Sequence, residues 1–203
     1  RQQMMACRLK KEAEITAILE HPNIIPLYDL QKKKEGDIYF TMRKVEGESF
    51  RTLLDKEKTP NQSLGESGLL KIFNKVCDAV AYAHSRGIIH RDLKPDNIMV
   101  GQFGEVYVMD WGIAKLQLVS NNLKIELKTD SSFSKTVGFN TDPQEATSLT
   151  ENKKATDFQT IGGMGTMGYM PPEQERNASQ VTPQADIYAL GKILRECFTL
   201  QSP

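Results

Sequence analysis

Within the run His90-Arg91-Asp92-Leu93-Lys94-Pro95-Asp96-Asn97, an acid, a cation and an amide fall within six positions. Pro95 stiffens that stretch by fixing its own backbone angle. A carboxylate such as Asp92 can orient a hydroxyl and accept its proton. A lysine such as Lys94 can stabilise charge on a travelling phosphoryl group, and the amide oxygen of Asn97 can help hold magnesium. Such a set suits moving a phosphoryl group from a nucleotide to a hydroxyl. Eighteen residues after Asp92 comes Asp110-Trp111-Gly112, closing an apolar run. A carboxylate on a tight turn beside a strand can ligate a hard cation through oxygen. Asp92 and Asp110 near a triphosphate would otherwise repel it, since one like-charge pair at 4 Å costs about 4 kcal/mol at an effective dielectric near 20. Magnesium ions bridging the phosphates would reverse that sign.

The elements that must position these residues follow from periodicity. Leu9, Ala13, Thr16 and Ala17 share a helical face, and His21-Pro22-Asn23 ends that helix. Strand-like runs follow at Ile24 to Leu30 and Ile38 to Met42, joined by a polar lysine-rich turn. Ser49 can cap a short helix through Leu53 and Leu54. Ser63-Leu64-Gly65-Glu66 fits a capping box that opens the clearest helix, with Leu69, Phe73, Val76, Cys77 and Val80 facing a core and Gly87 as its stop. Short strands are expected at Ile98 to Val100 and Val106 to Met109, and Pro183 opens a last helix through Ile187, Leu190, Ile193 and Leu194. Strands precede a mainly helical half with no βαβ repeat, an α+β order. Between Lys115 and Ile161 the composition turns polar; a small hairpin (Leu116 to Leu118 with Leu123 to Leu127) is expected there, followed by a mobile loop unable to bury enough surface to order itself.

Lysine plus arginine equals aspartate plus glutamate at 26 each, so no global charge draws the chain to nucleic acid or an anionic membrane. Recognition of phosphate must be local. Three scattered cysteines, Cys7, Cys77 and Cys197, support neither a disulfide framework nor a zinc site and suit a reducing cytosol. No apolar run is long enough to span a membrane. A cytoplasmic location is therefore expected, any membrane tether belonging to parts of a longer parent.

The ordered motifs resemble the protein kinase catalytic domain, in the bacterial, eukaryotic-like serine/threonine branch. The resemblance covers nearly the whole chain except the polar insert at about 116–161. It implies a two-lobed fold incomplete at both ends, with residues 1–45 a partial small lobe and 46–203 a partial large lobe. It also implies transfer of the ATP γ-phosphoryl group, with Mg2+, to serine or threonine hydroxyls of protein substrates. By position, Asp92 matches the catalytic base, Lys94 the phosphate-stabilising lysine, and Asn97 and Asp110 the two metal-holding positions. Glu12 matches the glutamate that pairs with the ATP-anchoring lysine. Met42 falls at the gatekeeper, Arg43 to Val45 at the adenine-binding hinge, and Met99 at the pocket floor. Gly165-Thr166-Met167-Gly168-Tyr169-Met170-Pro171-Pro172-Glu173 resembles the segment ending in Ala-Pro-Glu, in which Thr166 would contact the catalytic pair. Asp186 matches the aspartate that braces the catalytic loop, and Arg91 the arginine that receives an activating phosphate.

Departures matter as much. The glycine-rich loop over ATP, the lysine that should partner Glu12 and the terminal helices of the large lobe lie outside the chain. The arginine that pairs with a glutamate at the Glu173 position is among what is missing, so a buried, unpaired Glu173 is expected to destabilise the lobe and leave the isolated piece inactive and poorly folded. Trp111 replaces a phenylalanine and is expected to pack under the first helix near Thr16 and Leu27. Phosphorylation is expected near Thr156 or Thr160. His90 reads as structural, and His21 and His84 as helix-end residues. Gly163-Met164-Gly165-Thr166-Met167-Gly168 fits a dinucleotide pattern, but no strand precedes it and no helix follows, so it carries no such function. Two rival readings remain: a scaffolding pseudokinase and a small-molecule phosphotransferase. Asp92, Lys94, Asn97 and Asp110 together weigh against the first, and Lys94-Pro95 with the Gly165 to Glu173 segment against the second.

Overall fold

The structure, a computed structural model, describes residues 12–13, 15–32, 38–59, 64–116, 165–177 and 181–203. Residues 12–13 and 15–18 are helical, and Ala13, Ile15, Thr16 and Leu19 are buried. The expected hairpin forms from β1 (Leu27–Lys32) and β2 (Ile38–Met42), antiparallel, with Leu27 opposite Met42 and Lys32 opposite Ile38. The first strand starts later than its apolar run suggests. Pro26 has no N–H to give a ladder, and its carbonyl instead accepts from Arg43 N. Ile24 and Ile25 turn the other way: Ile24 bridges Val108, Ile25 N donates to Val108 O, and Val108 N donates to Asn23 O at 2.8 Å. The stretch between helix and hairpin is thereby stitched to the sheet below.

That sheet is three-stranded and antiparallel, with β3 (Gly47–Ser49), β5 (Ile98–Gly101) and β6 (Val106–Val108) in the order β3-β5-β6. Gly47 is required by close approach, because a β-carbon there would lie 2.0 Å from Val100 O. Ser49 caps α1 (Phe50–Glu57) by accepting from Thr52 N at 3.2 Å, as expected. Helix α2 (Gly65–Ser85) starts differently. Leu64 is its N-cap residue, and the Glu57 carboxylate accepts from Leu64 N and Gly65 N, so an acid from the preceding helix serves the helix start. Ser63 lies outside the described residues. Leu69, Ile72, Val76, Ala79, Val80 and Ala83 form the buried face of α2, and Gly87 ends it at φ +71°.

Two further helices, α3 (Pro172–Arg176) and α4 (Gln184–Thr199), follow. Helix α4 packs on α2, bringing Leu190, Ile193 and Cys197 into one core with Phe50, Leu54, Ile88, Leu93 and Trp111. Strand β4 (Ile88–Ile89) follows α2 and pairs with β7 (Lys115–Leu116). Leu116 thus lies on a strand that pairs with Ile88. The rest of the expected hairpin, the expected loop, and Thr156 and Thr160 fall in residues 117–164, outside the described residues. The whole is α+β, with small antiparallel sheets and a helical part. Among the described residues no helix is long and apolar enough to cross a membrane.

Candidate active site

Strand β4 delivers the chain into residues 90–94, and a 3-10 turn, Pro95–Asn97, leads out into β5. Arg91 sits at φ +71°, a left-handed angle that a side-chain-bearing residue adopts only when its surroundings impose it. Asp186, in the first turn of α4 and 1% exposed, imposes it. Its carboxylate accepts His90 N at 2.8 Å, Arg91 N at 2.9 Å and His84 Nε2 at 2.7 Å. His84 is therefore more than a helix end, because it meets the carboxylate that holds the loop. His90 is fully buried and structural. Its Nδ1 accepts Asp92 N at 3.2 Å, so Nε2 carries the proton and donates to Met109 O at 2.9 Å, with the ring 4.5 Å from that of Trp111.

These anchors bring Asp92, Lys94, Asn97 and Thr166 together. Thr166 Oγ1 donates to Asp92 Oδ1 at 2.8 Å and accepts from Lys94 Nζ at 2.7 Å. Lys94 Nζ also lies 3.3 Å from Asp92 Oδ2. Asn97 Nδ2 donates to Asp92 O at 2.9 Å and to Oδ2 at 3.3 Å, which leaves Oδ1 as the amide atom for a cation. Asp92 retains some access to solvent, its side chain 13% exposed.

Asn97 and Asp110 are neighbours through the backbone, since Met109 N donates to Asn97 O at 2.9 Å. Asp110 is exposed at φ +58°, and Gly112 N donates to its Oδ1 at 3.4 Å. A β-carbon on Gly112 would stand 2.9 Å from Glu12 Oε2 and 3.2 Å from Asp110 Oδ1, so the glycine lets the helix-borne Glu12 approach the Asp110 turn. Trp111 is the buried plug expected, 1% exposed in the main core with Ile15 and Leu19. The donor set is hard oxygen, and among the described residues no group of three or more His, Cys, Asp or Glu could hold a metal by itself. An amide oxygen and a carboxylate are the donor type that a hard cation such as magnesium takes.

On the other flank, Met42 ends β2 and Arg43, Lys44, Val45 and Glu46 run without regular structure into β3. Arg43 lies with its guanidinium 5.5 Å from the Tyr107 ring centre. Met99, half-buried on β5, pairs with Ser49 and Tyr107. Arg91 donates from Nε to Ile113 O, and its own carbonyl accepts Gln174 Nε2 at 2.7 Å.

Glu173 differs from expectation. It is exposed in the first turn of α3 and leaves no orphaned charge in the core. Besides Asp186, Glu196 is a buried acid with its side chain fully enclosed, and it is paired: Arg51 meets it with both terminal nitrogens, Tyr169 donates its hydroxyl, and Ser202 Oγ donates at 3.0 Å. Burial pushes the Glu196 carboxyl up, but the donors from Arg51, Tyr169 and Ser202 outweigh it and hold the group below its ordinary value. Burial and the neighbouring Glu196 push the Tyr169 hydroxyl up. Sequence reasoning missed Arg51, Glu196, His84 and Gln174 as parts of this framework. One signal was present: Glu196 falls on the apolar face of α4, between Ile193 and Cys197.

A family model for the protein kinase domain matches residues 1–139. The chain is 39% identical over 204 residues, 97% of its length, to the serine/threonine-protein kinase PknD of Protochlamydia amoebophila. It is 38% identical over 205 residues to that of Chlamydia trachomatis, and 35% identical over 215 residues to that of Chlamydia felis. The chain spans about a fifth of the length of these relatives, 19% and 20% of the first two.

Proposed function

Because the chain belongs to the protein kinase domain family, we propose that it carries the catalytic residues of a serine/threonine kinase, transferring the ATP γ-phosphoryl group to hydroxyls of protein substrates. Asp92 accepts the proton of the attacking hydroxyl and holds that oxygen in line. Lys94, anchored on Thr166, places positive charge beside the transferring group. Asn97 and Asp110 are the residues that would hold magnesium, which would supply positive charge to offset that of the phosphates. Glu12 contributes on the helix side of the Asp110 turn, and Met42, Arg43, Val45 and Met99 line the adenine side. The boundary between the two lobes falls near residue 45, and the reaction takes place in the cytoplasm.

One observation carries this reading: the Thr166 hydroxyl bonds both Asp92 and Lys94, tying a base and a phosphate-binding cation to the segment that a peptide must cross. A scaffold without catalysis has no need of that linkage. The test is to incubate the complete protein with labelled ATP and Mg2+ and analyse which amino acids become labelled. Label on serine or threonine, abolished by chelation of the metal, is expected. ATP binding without transfer to any protein or peptide would instead favour the scaffolding reading.

A further inference from the structure

Arg51 lies in the first turn of α1, six residues past Val45, and its guanidinium meets α4, the Gly165 to Glu173 segment and the catalytic loop, as well as Ser202 Oγ at 3.3 Å. On α4 it forms the enclosed pair with Glu196, one of whose contacts is Nη2 to Oε2 at 3.1 Å. On the Gly165 to Glu173 segment it donates to the Tyr169 hydroxyl, which itself donates to Glu196. On the catalytic loop its Nε lies 3.7 Å from Asp96 Oδ2, between Lys94 and Asn97 in sequence. Tyr169 N and Met170 N both donate to Thr166 O, so the tyrosine ring fixes the turn bearing the hydroxyl that bonds Asp92. Met167, 81% exposed, and Gly168 form the outer surface of that turn.

We propose that Arg51 is a positioning residue for the protein substrate: by clamping Tyr169 to Glu196 beside Asp96, it sets the Thr166–Met170 surface at the height Asp92 needs. The inference rests on the kinase reading above. A planar guanidinium can serve both Glu196 oxygens and the phenol at once, which a lysine ammonium cannot. Among the described residues, the hydrogen bonds and ion pairs of the Arg51 guanidinium go to Glu196, Tyr169, Ser202 and Asp96, none of them assigned to metal or nucleotide. The consequence is therefore asymmetric, acting on peptide binding and leaving nucleotide affinity largely alone.

The test uses the complete protein with R51K, R51M and Y169F. A degenerate serine/threonine peptide pool serves as probe, and backbone hydrogen exchange across Thr166–Met170 is the second readout. R51M is expected to raise the peptide KM by about tenfold or more while the ATP KM moves less than about twofold, with R51K between it and wild type. Exchange at Tyr169 and Met170 should speed up about tenfold or more in R51M. Y169F removes only a hydroxyl, keeps the ion pair and guards against R51M failing to fold; it should show the same asymmetry, smaller. Peptide and ATP KM values rising together, or neither KM nor exchange moving, would overturn the assignment. A wild-type protein that phosphorylates no peptide would sink the kinase reading, while the exchange measurement still decides whether Arg51 holds the segment.

Discussion

Replacing Asp186 by Asn isolates the brace beneath the catalytic loop. The aspartate is 1% exposed and offers two oxygens to three donors, His84 Nε2, His90 N and Arg91 N, at 2.7 to 2.9 Å. Asparagine keeps one oxygen and turns an NH2 toward at least one of those donors, so a buried N–H loses its acceptor. One such loss costs about 1–3 kcal/mol. At about 2 kcal/mol, and about 2–4 °C per kcal/mol for a domain of this size, the melting midpoint should fall about 4–8 °C. Arg91, at φ +71°, is then free to relax, shifting Asp92 one residue away. A displacement on the ångström scale reduces turnover by about 10- to 100-fold. Differential scanning fluorimetry and a peptide phosphorylation assay on the complete protein read both effects. A midpoint within about 1 °C of wild type, with turnover within about twofold, would refute the claim that Asp186 sets the loop.

Other perturbations separate the remaining parts. D110N removes the charge at the proposed cation position and should raise the Mg2+ concentration for half-maximal activity by about tenfold or more, equivalent to about 1.4 kcal/mol, as a magnesium titration at fixed ATP would read. T166A breaks the link between Asp92 and Lys94 and should lower peptide turnover while ATP binding, followed by a fluorescent nucleotide, is retained. Glu196 is held below its ordinary value near 4.5. Its stabilising contribution is therefore present above that pH and fades as pH falls through the lowered folded value. The stability gap between wild type and E196Q, measured by urea unfolding at stepped pH, should narrow below about pH 4.5. A gap that widens on acidification would reverse the sign of that argument.

How much of this was legible in the chain differs by physical cause. Helix α2 declared itself because its core-facing residues repeat at helical spacing, and Ser49 because its cap is a local bond. Asp92, Lys94, Asn97 and Asp110 read as a chemical set from their types and spacing, whereas the meeting of Asp92 and Lys94 at Thr166 depended on contacts across 74 and 72 residues. What stayed hidden was non-local. The start of β1 was moved by Pro26 and by the competing attachment of Ile24 and Ile25 to Val108. The acid at the start of α2 came from Glu57 in the helix before it. The pairing of Leu116 with Ile88 joins positions 28 residues apart. Glu173 looked like a core acid in need of an arginine; the enclosed acid that has one is Glu196, and its arginine, Arg51, stood 145 residues earlier.

The central claim is that Asp92 is the base of a magnesium-dependent phosphoryl transfer. The most direct measurement compares the complete protein with D92N, reading single-turnover phosphoryl transfer and nucleotide affinity side by side. Phosphoryl transfer should fall by about 10²–10⁴-fold with ATP affinity within a few-fold of wild type. Undiminished transfer by D92N would contradict the account.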